Sequence, residues 1–400
     1  MASKKLKNEK IINLFGEEVS EQVRYLDEDN PWDEWNQMPK YEPSAPECFA
    51  QVKFTFKTDK DVEEFGKLME INLTDKTKST WYPKRAIDDY SGIRYVSDYN
   101  DDNTPQYPIY IVSKGRFEKR PTSDTLCKMK VPHYIVVEEH QYNDYVSRVD
   151  QKLVTVIILE KKYLDEYDTF DDLGNTKSKG PGAARNFAWE HSMKLGFKRH
   201  WVMDDNIQNF YRLDGSKRTI VASGAIFRAM ENHTERYDNV YMSGPHYRFF
   251  NPPHMENPPF WLNTRIYSCN LILNDIPYRW RGRYNEDTDL SLRILKDGHC
   301  TIQYNAFLQG KMATQAMAGG NTKEFYSKEG TKPKSDMLEE MHPDVARVVW
   351  MNQRWHHWVD YSVYKKQRLI RNTEFPIGNY EYGMEFKKTN DVAFDEEEED

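Results

Sequence analysis

"HWVMDDNIQNF" (residues 200–210) runs three apolar residues, Trp201, Val202 and Met203, straight into Asp204, Asp205 and Asn206. Alone, the pattern fits a buried strand that ends in a turn, since Asp and Asn favour turns. It fits equally a strand that delivers carboxylates to a ligand crevice. Neighbouring runs bear on the choice. "YPIYIVSKGR" (107–116) is an apolar run that breaks into a Ser113–Arg116 loop, and "PHYIVVEEHQ" (132–141) ends in the acids of Glu138–Gln141. "KLVTVIILE" (152–160) is apolar almost throughout, and "GPGAARNFAWEHSMKLG" (180–196) reads as a helix that glycine begins and ends. Apolar strands alternating with helices predict an α/β fold whose parallel sheet is covered on both faces. In such sheets ligands sit beyond the carboxyl ends of the strands. The three polar loops fall at those ends.

Composition narrows the classes. A 38% hydrophobic and 14% aromatic content supports a buried core and excludes a globally disordered chain. No run of 18 apolar residues is present, so no membrane partner is expected. "MASKKLKNEK" lacks the apolar segment of a signal peptide. Cys48, Cys127, Cys269 and Cys300 are scattered without metal-type spacing, which predicts packed thiols in a reducing cytoplasm. The formal charge of −8 weighs against a nucleic-acid partner, but says little about any one face. Basic clusters stand at "KGRFEKR" (114–120), "KEFYSKEGTKPK" (323–334) and "YKKQRLIR" (364–371). The last makes Lys365, Lys366 and Arg368 candidate DNA contacts, because DNA is held chiefly through its phosphates.

Five segments are expected. Residues 1–47 read as an extended arm or linker, and 48–105 as a small α+β module. In that module "QVKFTFKT" (51–58) alternates as a strand and "DKDVEEFGKLMEI" (59–71) is a helix with an Asp cap. Residues 106–330 form the main core. Residues 331–388 are a helical extension rich in aromatics and bases, and 389–400 an acidic disordered tail. His356 and His357, read on a helix, point about 100° apart and do not share a metal. They pack against the core or touch DNA.

Carboxylates facing a crevice repel one another unless a cation lies between them. A hard divalent ion, held by one or two carboxylates and a substrate's phosphates, meets that need. "MDDN" therefore reads as a metal–diphosphate site if a nucleotide binds nearby. "GPGAARN" (180–186) places glycines at a helix start, where free amides attract anions. Arg185 and Asn186 follow in the first turn; a solvent-exposed Arg after a glycine-rich turn would look the same. "RYNEDTDLSLRIL" (283–295) sets Asn285, Glu286, Asp287 and Asp289 before an amphipathic helix. Helix capping explains some of these acids, and a general base is the other use. "GKMATQAMAGGNT" (310–322) carries Lys311 and the pair Gly319 and Gly320. It is either a diphosphate-binding loop or a surface lid.

A strand ending "IVSKGR", then "GPGAARN", then an Asp motif at a strand end, then "NED", is the order of GT-A glycosyltransferases. It most resembles the TET-associated glycosyltransferases, mostly phage enzymes that attach sugars to 5-hydroxymethylated pyrimidines in DNA. The resemblance covers roughly residues 106–330. The flanks "KTKSTWYP" (76–83) and "RWHHWVDY" (354–361) resemble phage DNA-modification proteins more loosely. The implied fold is a GT-A, Rossmann-like nucleotide-sugar-binding core. By the same resemblance Ser113 and Arg116 lie by the nucleoside and Glu138 near its base. Arg185 and Asn186 face the ribose or diphosphate, joined by Lys311, Gly319 and Gly320. Asp204, Asp205 and Asn206 form the motif for Mn²⁺ or Mg²⁺, with Asn206 where an Asp is common. Asp287 matches the catalytic base of inverting members, and Glu286 orients the acceptor. The usual late His ligand is not evident: His299 reads as part of a strand, and His342 as lying outside the core. The implied donor is a UDP-sugar. The implied acceptor is the hydroxymethyl group of 5-hydroxymethylcytosine in phage DNA, in the cytoplasm of an infected bacterium, where the sugar would shield the DNA from host nucleases. The alternatives are a protein or glycan acceptor, or a catalytically inactive DNA-binding homologue.

Overall fold

The computed structural model describes residues 30–45, 52–74, 77, 80, 82, 92–97, 103–170, 179–312, 332–351 and 353–388. The loop carrying Gly319 and Gly320, the acidic tail and residues 1–29 lie outside the described residues. Helix α1 (Asp59–Leu68) forms where the spacing predicts, but its cap is Thr58. The Thr58 hydroxyl accepts from the Asp61 amide, and the Asp61 carboxylate accepts from the Thr58 amide, a reciprocal capping box. The strand expected at 51–58 is not seen in its described residues. Phe54 and Phe56 instead pack their rings on Phe65 of α1.

Strand β1 (Ile93–Val96) precedes the main body. That body is built from β2 (Ile109–Val112), α2 (Pro121–Lys128), β3 (His133–Val137), α3 (Tyr142–Val146), β4 (Val154–Ile158), α4 (Lys161–Asp165), α5 (Gly182–Lys194) and β5 (Arg199–Asp204). It continues with β6 (Ile207–Asp214), β7 (Lys217–Ile220), α6 (Ala225–Thr234), β8 (Val240–Tyr247), β9 (Phe260–Leu262), β10 (Cys269–Leu273), α7 (Glu286–Lys296) and β11 (Cys300–Lys311). These strands make one ten-stranded sheet in the order β4-β3-β2-β5-β10-β8-β11-β6-β7, with β9 beside β11.

The quartet β4-β3-β2-β5 is parallel, as its apolar runs predict. The other half is mixed: β10 runs antiparallel to β5 and β8, and β11 parallel to β8. The fold is thus α/β with a mixed sheet rather than a wholly parallel one.

Alternating residues feed two cores. Ile109, Ile111, Ile135, Trp201 and Met203 pack with Leu126 of α2, Tyr145 of α3 and Phe227 of α6. Tyr110, Val112, Val136 and Val202 pack on the opposite face with Phe187 and Ala188 of α5 and Leu290 of α7. Each large apolar side chain so buried contributes roughly 1.5–3 kcal/mol. After β4 the chain crosses back and adds β5 on the far side of β2. This reversal is a topological switch point, where a crevice opens beyond the strand ends.

The extension expected to be helical is mostly not. One helix, α8 (Lys332–Met341), is followed by a hairpin of β12 (Ala346–Met351) and β13 (Arg354–Val359). The runs "ARVVWM" and "RWHHWV" satisfy helical spacing as well as they satisfy a strand. Gln353, at φ 60°, stands between the two strands. Strand β14 (Glu385–Lys388) pairs with β1, tying the two flanking segments together. Of the N-terminal arm, Trp35, Met38 and Tyr41 are buried in the main core. No helix among the described residues is long and apolar enough to cross a membrane.

Candidate active site

The register at the switch point pairs Val112 with Asp204. The next residue on each strand is therefore a neighbour: Ser113 Oγ donates to Asp205 Oδ2 at 2.7 Å. The Arg116 guanidinium closes on the other oxygen of Asp205, and its amide donates to the Tyr145 hydroxyl at 3.0 Å. Asp204 points the other way. Its Oδ1 accepts from Arg185 Nη2 at 2.7 Å and its Oδ2 from Lys311 Nζ at 2.6 Å. Lys311, at the end of β11, also donates to Ser268 Oγ at 2.8 Å. Burial works against the charge of Asp204, yet Lys311 and Arg185 hold the carboxyl well below its usual range. Burial prevails at Asp205, whose carboxyl is raised despite Arg116 and Ser113. Burial likewise opposes the Lys311 ammonium, but the Asp204 carboxylate keeps it protonated far above its ordinary range.

Arg185 stands in the first turn of α5, and the turn before it is shaped by glycine. Gly180 has φ +79°, and a Cβ there would lie 2.7 Å from the Arg283 carbonyl oxygen. A Cβ on Gly182 would lie 1.8 Å from the Tyr167 hydroxyl. These glycines serve close packing of the helix start. Arg185 bridges Asp204 to Glu286, with Nη1 3.1 Å from Glu286 Oε1, and its guanidinium lies over the Trp280 ring. Asn186, one residue on, turns away from the crevice: its amide donates to the Trp280 carbonyl and its oxygen accepts from the Trp280 amide, each at 2.9 Å.

Asn285, at φ 52°, starts α7. Glu286 then faces Arg185, and burial pushes its carboxyl up to about 7. The Asp287 carboxylate accepts from the Thr288 amide at 2.7 Å and lines the cavity. Asp289 is taken up structurally by Arg281, Arg293 and His342, the last at 2.9 Å. His342 is therefore buried in the core rather than outside it, and His299 precedes β11, stacked on Tyr241.

These groups line one cavity of about 490 Å³, a size suited to a nucleotide-sized ligand. The structure brings Ser113, Arg116, Glu138, Arg185, Asp204, Asp205, Asn206, Glu286, Asp287 and Lys311 to it. It does not bring Asn186. Arg368 sits where its carbonyl accepts from Asn239 and from the Cys300 thiol, at the end of β11 away from Lys311. Lys365 and Lys366 share that segment, and none of the three lines the cavity.

Nothing in the residue pattern singles out Arg265, an isolated arginine in a loop. The same pattern puts Lys334 in a surface basic cluster and His357 on a helix. All three line the cavity beside Asp287. Burial, with Arg265 and Lys334 adding to it, holds His357 neutral, and His357 Nε2 is 3.4 Å from Arg265 Nη1. The lining carries eight basic side chains against five acidic ones, in a chain with 56 basic and 64 acidic residues. The cavity is thus a basic basin in an acidic protein, and its chemistry favours a polyanion.

Among the described residues no three His, Cys, Asp or Glu side chains converge as a metal site. What fits a hard divalent ion is narrower. Asp204 and Asp205 offer carboxylate oxygens, and the buried Asn206 Oδ1 has no hydrogen-bond partner among the described residues. One or two carboxylates plus substrate oxygens suffice for such an ion.

No curated protein matches the chain significantly. The family model described as TET-Associated Glycosyltransferase matches residues 107–320, the segment that runs from β2 past the end of β11 and holds most of the cavity lining. With the switch-point crevice, the paired Asp204–Asp205 and the "NED" helix start inside that match, the chain belongs to the TET-associated glycosyltransferase family and is a glycosyltransferase.

Proposed function

We propose that the enzyme transfers a sugar from a nucleoside diphosphate sugar, UDP-linked, to the hydroxymethyl group of 5-hydroxymethylcytosine in DNA. The observation that carries this reading is the basic cavity at the switch point, lined by Asp287 as well as by Ser113 and Arg116. A diphosphate bears the charge complementary to Arg185 and Lys311. Ser113, Arg116 and Glu138 line the cavity beyond the ends of β2 and β3, and in this reading they take the nucleoside.

In a single displacement the acceptor oxygen attacks the anomeric carbon as the bond to the diphosphate breaks. Asp287 takes the acceptor's proton, and the nucleoside diphosphate departs with the bonding electron pair. Arg185 and Lys311 are already fixed by Asp204 and Glu286, so they meet the developing charge with little reorganisation. Within the Asp204, Asp205 and Asn206 motif, Asp204 and the Asn206 amide oxygen would hold Mn²⁺ or Mg²⁺, which would supply further neutralisation of the leaving diphosphate, while Asp205 fixes Arg116 on the other side. Glu286 serves by orienting Arg185.

Mass spectrometry of hydroxymethylcytosine DNA, incubated with a panel of nucleotide sugars, tests the reading. A mass gain of one sugar on the modified base supports it. Transfer to a protein or glycan, with the DNA left unchanged, overturns the acceptor and leaves the glycosyltransferase.

A further inference from the structure

We propose that the Trp350–Trp355 pair of the β12–β13 hairpin is a stacking shelf for the acceptor nucleobase, with Arg265 and Lys334 taking the phosphate beside it. This rests on the reading of modified DNA as acceptor, and the hairpin lies outside the segment that matches the family.

The register fixes which residues share a face. Val348 pairs with His357, and Trp350 with Trp355. Directly paired residues in an antiparallel ladder project to the same side. His357 lines the cavity, so the Trp350–Trp355 pair lies on the cavity side, one strand repeat (roughly 6–7 Å) further out. The two indoles meet edge to face, 5.0 Å between centroids at 69°. Trp350 is 59% exposed, an unusual state for an indole that packing alone would bury. Helix α8 runs along the same side. Its Leu338 packs with Ala346, Lys334 lines the cavity, and Lys332 Nζ sits 5.7 Å from the Trp355 ring.

Charge selects the occupant. On the shelf side of the hairpin the register sets His357 and no acid. Arg265 and Lys334 border it from the cavity, with Lys332, paired to Asp336, beside Trp355, while Arg347 and Arg354 belong to the opposite face. An aromatic shelf edged with cations is the surface that single-stranded nucleic acid recognises, through base stacking and phosphate contacts. A base in a duplex cannot lie flat on an indole, so the target base must be unpaired or turned out of the helix. Its phosphate then falls toward Arg265 and Lys334, and its hydroxymethyl group toward Asp287.

Fluorescence anisotropy of a labelled single-stranded oligonucleotide containing 5-hydroxymethylcytosine tests this on the full chain. Trp350→Leu keeps apolar bulk but loses the π face, and should weaken binding about five- to hundredfold, the range for taking away one base–aromatic stack. Trp350→Phe should stay within about threefold of the parent. Trp358→Ala, on the opposite face with Arg347, should bind as the parent does. Parent-like binding by Trp350→Leu, or equal loss in Trp350→Phe and Trp350→Leu, overturns the shelf while leaving the DNA acceptor standing. A parent that binds no oligonucleotide and glycosylates another acceptor overturns both.

Discussion

Replacing Glu286 with Gln isolates one consequence of the buried charge network. A glutamate ordinarily titrates near 4.5, and burial moves this one up to about 7. Between those values the unfolded chain has lost the proton and the folded protein keeps it. Stability therefore falls as pH rises through the window, and is level above it. Each pH unit corresponds to about 1.4 kcal/mol, so the window of about 2.5 units gives ~3 kcal/mol at most. Arg185, 3.1 Å away, already offsets part of the burial, and is why the carboxyl does not rise further. The substituted glutamine would fill the same space without titrating. Urea unfolding followed by tryptophan fluorescence, at half-unit steps from pH 4.5 to 8, gives the two stability profiles. The variant's stability relative to the parent should rise by about 3 kcal/mol across that range. The difference profile matters rather than its level, since a fixed offset reports the broken ion pair with Arg185. A difference that is flat with pH, or that falls, would refute the burial of an ionisable Glu286 against Arg185.

Asp204→Ala should lower turnover by about 10²–10⁴-fold, and Asp205→Ala likewise, in steady-state transfer assays on folded protein. Excess chelator should lower activity in the parent, and full activity in chelator would remove the metal from the reading. Asp287→Asn should cut transfer at least about 10²-fold while donor affinity by calorimetry stays within about threefold; lost donor affinity with retained turnover would reassign the residue. Replacing Lys365, Lys366 and Arg368 with Ala tests the basic segment at the far end of β11. Every phosphate partner so removed should flatten the slope of log K against log salt by about one, and an unchanged slope takes the segment off the DNA surface.

The parallel quartet is legible in the sequence because each of its strands is a short apolar run that ends in polar residues. The mixed half is not, since its strands hide their identity. β8 contains Gly244 and Pro245, residues that normally argue against a central strand. Gly244 is needed there because a Cβ would lie 2.1 Å from the Cys269 carbonyl oxygen. The hairpin of β12 and β13 reads as helix because continuous aromatic and apolar runs carry no period. In the site, positions at strand ends and helix starts translate directly into place. Adjacent residues on a helix do not. Arg185 and Asn186 stand about 100° apart, so only one of them can face the crevice, and Asn186 is spent on Trp280. The same geometry separates Glu286, turned to Arg185, from Asp287. Arg265 and His357 require the tertiary structure, because a loop and a hairpin far apart in sequence meet at the cavity.

The adjacency of Asp204 and Asp205 suggests two carboxylates converging on one ion. Successive residues at a strand end project to opposite sides, and here each collects its own cations: Arg185 and Lys311 on one side, Arg116 on the other. The carboxylates thus act first as anchors that hold three long basic side chains in fixed geometry at the mouth of the crevice. Fixed donors stabilise charge that appears during reaction better than mobile ones, because they need not reorganise. A divalent ion at this motif must share Asp204 with Lys311, and the two cations repel. Metal and lysine are then coupled: removing the Lys311 charge should tighten the ion's hold on Asp204, while removing the ion should leave the lysine as the remaining counter-charge for the diphosphate. Measuring Mn²⁺ affinity in Lys311→Met against the parent separates the cases. Tighter binding in the variant places ion and lysine on the same carboxylate, whereas weaker or equal binding puts the ion elsewhere.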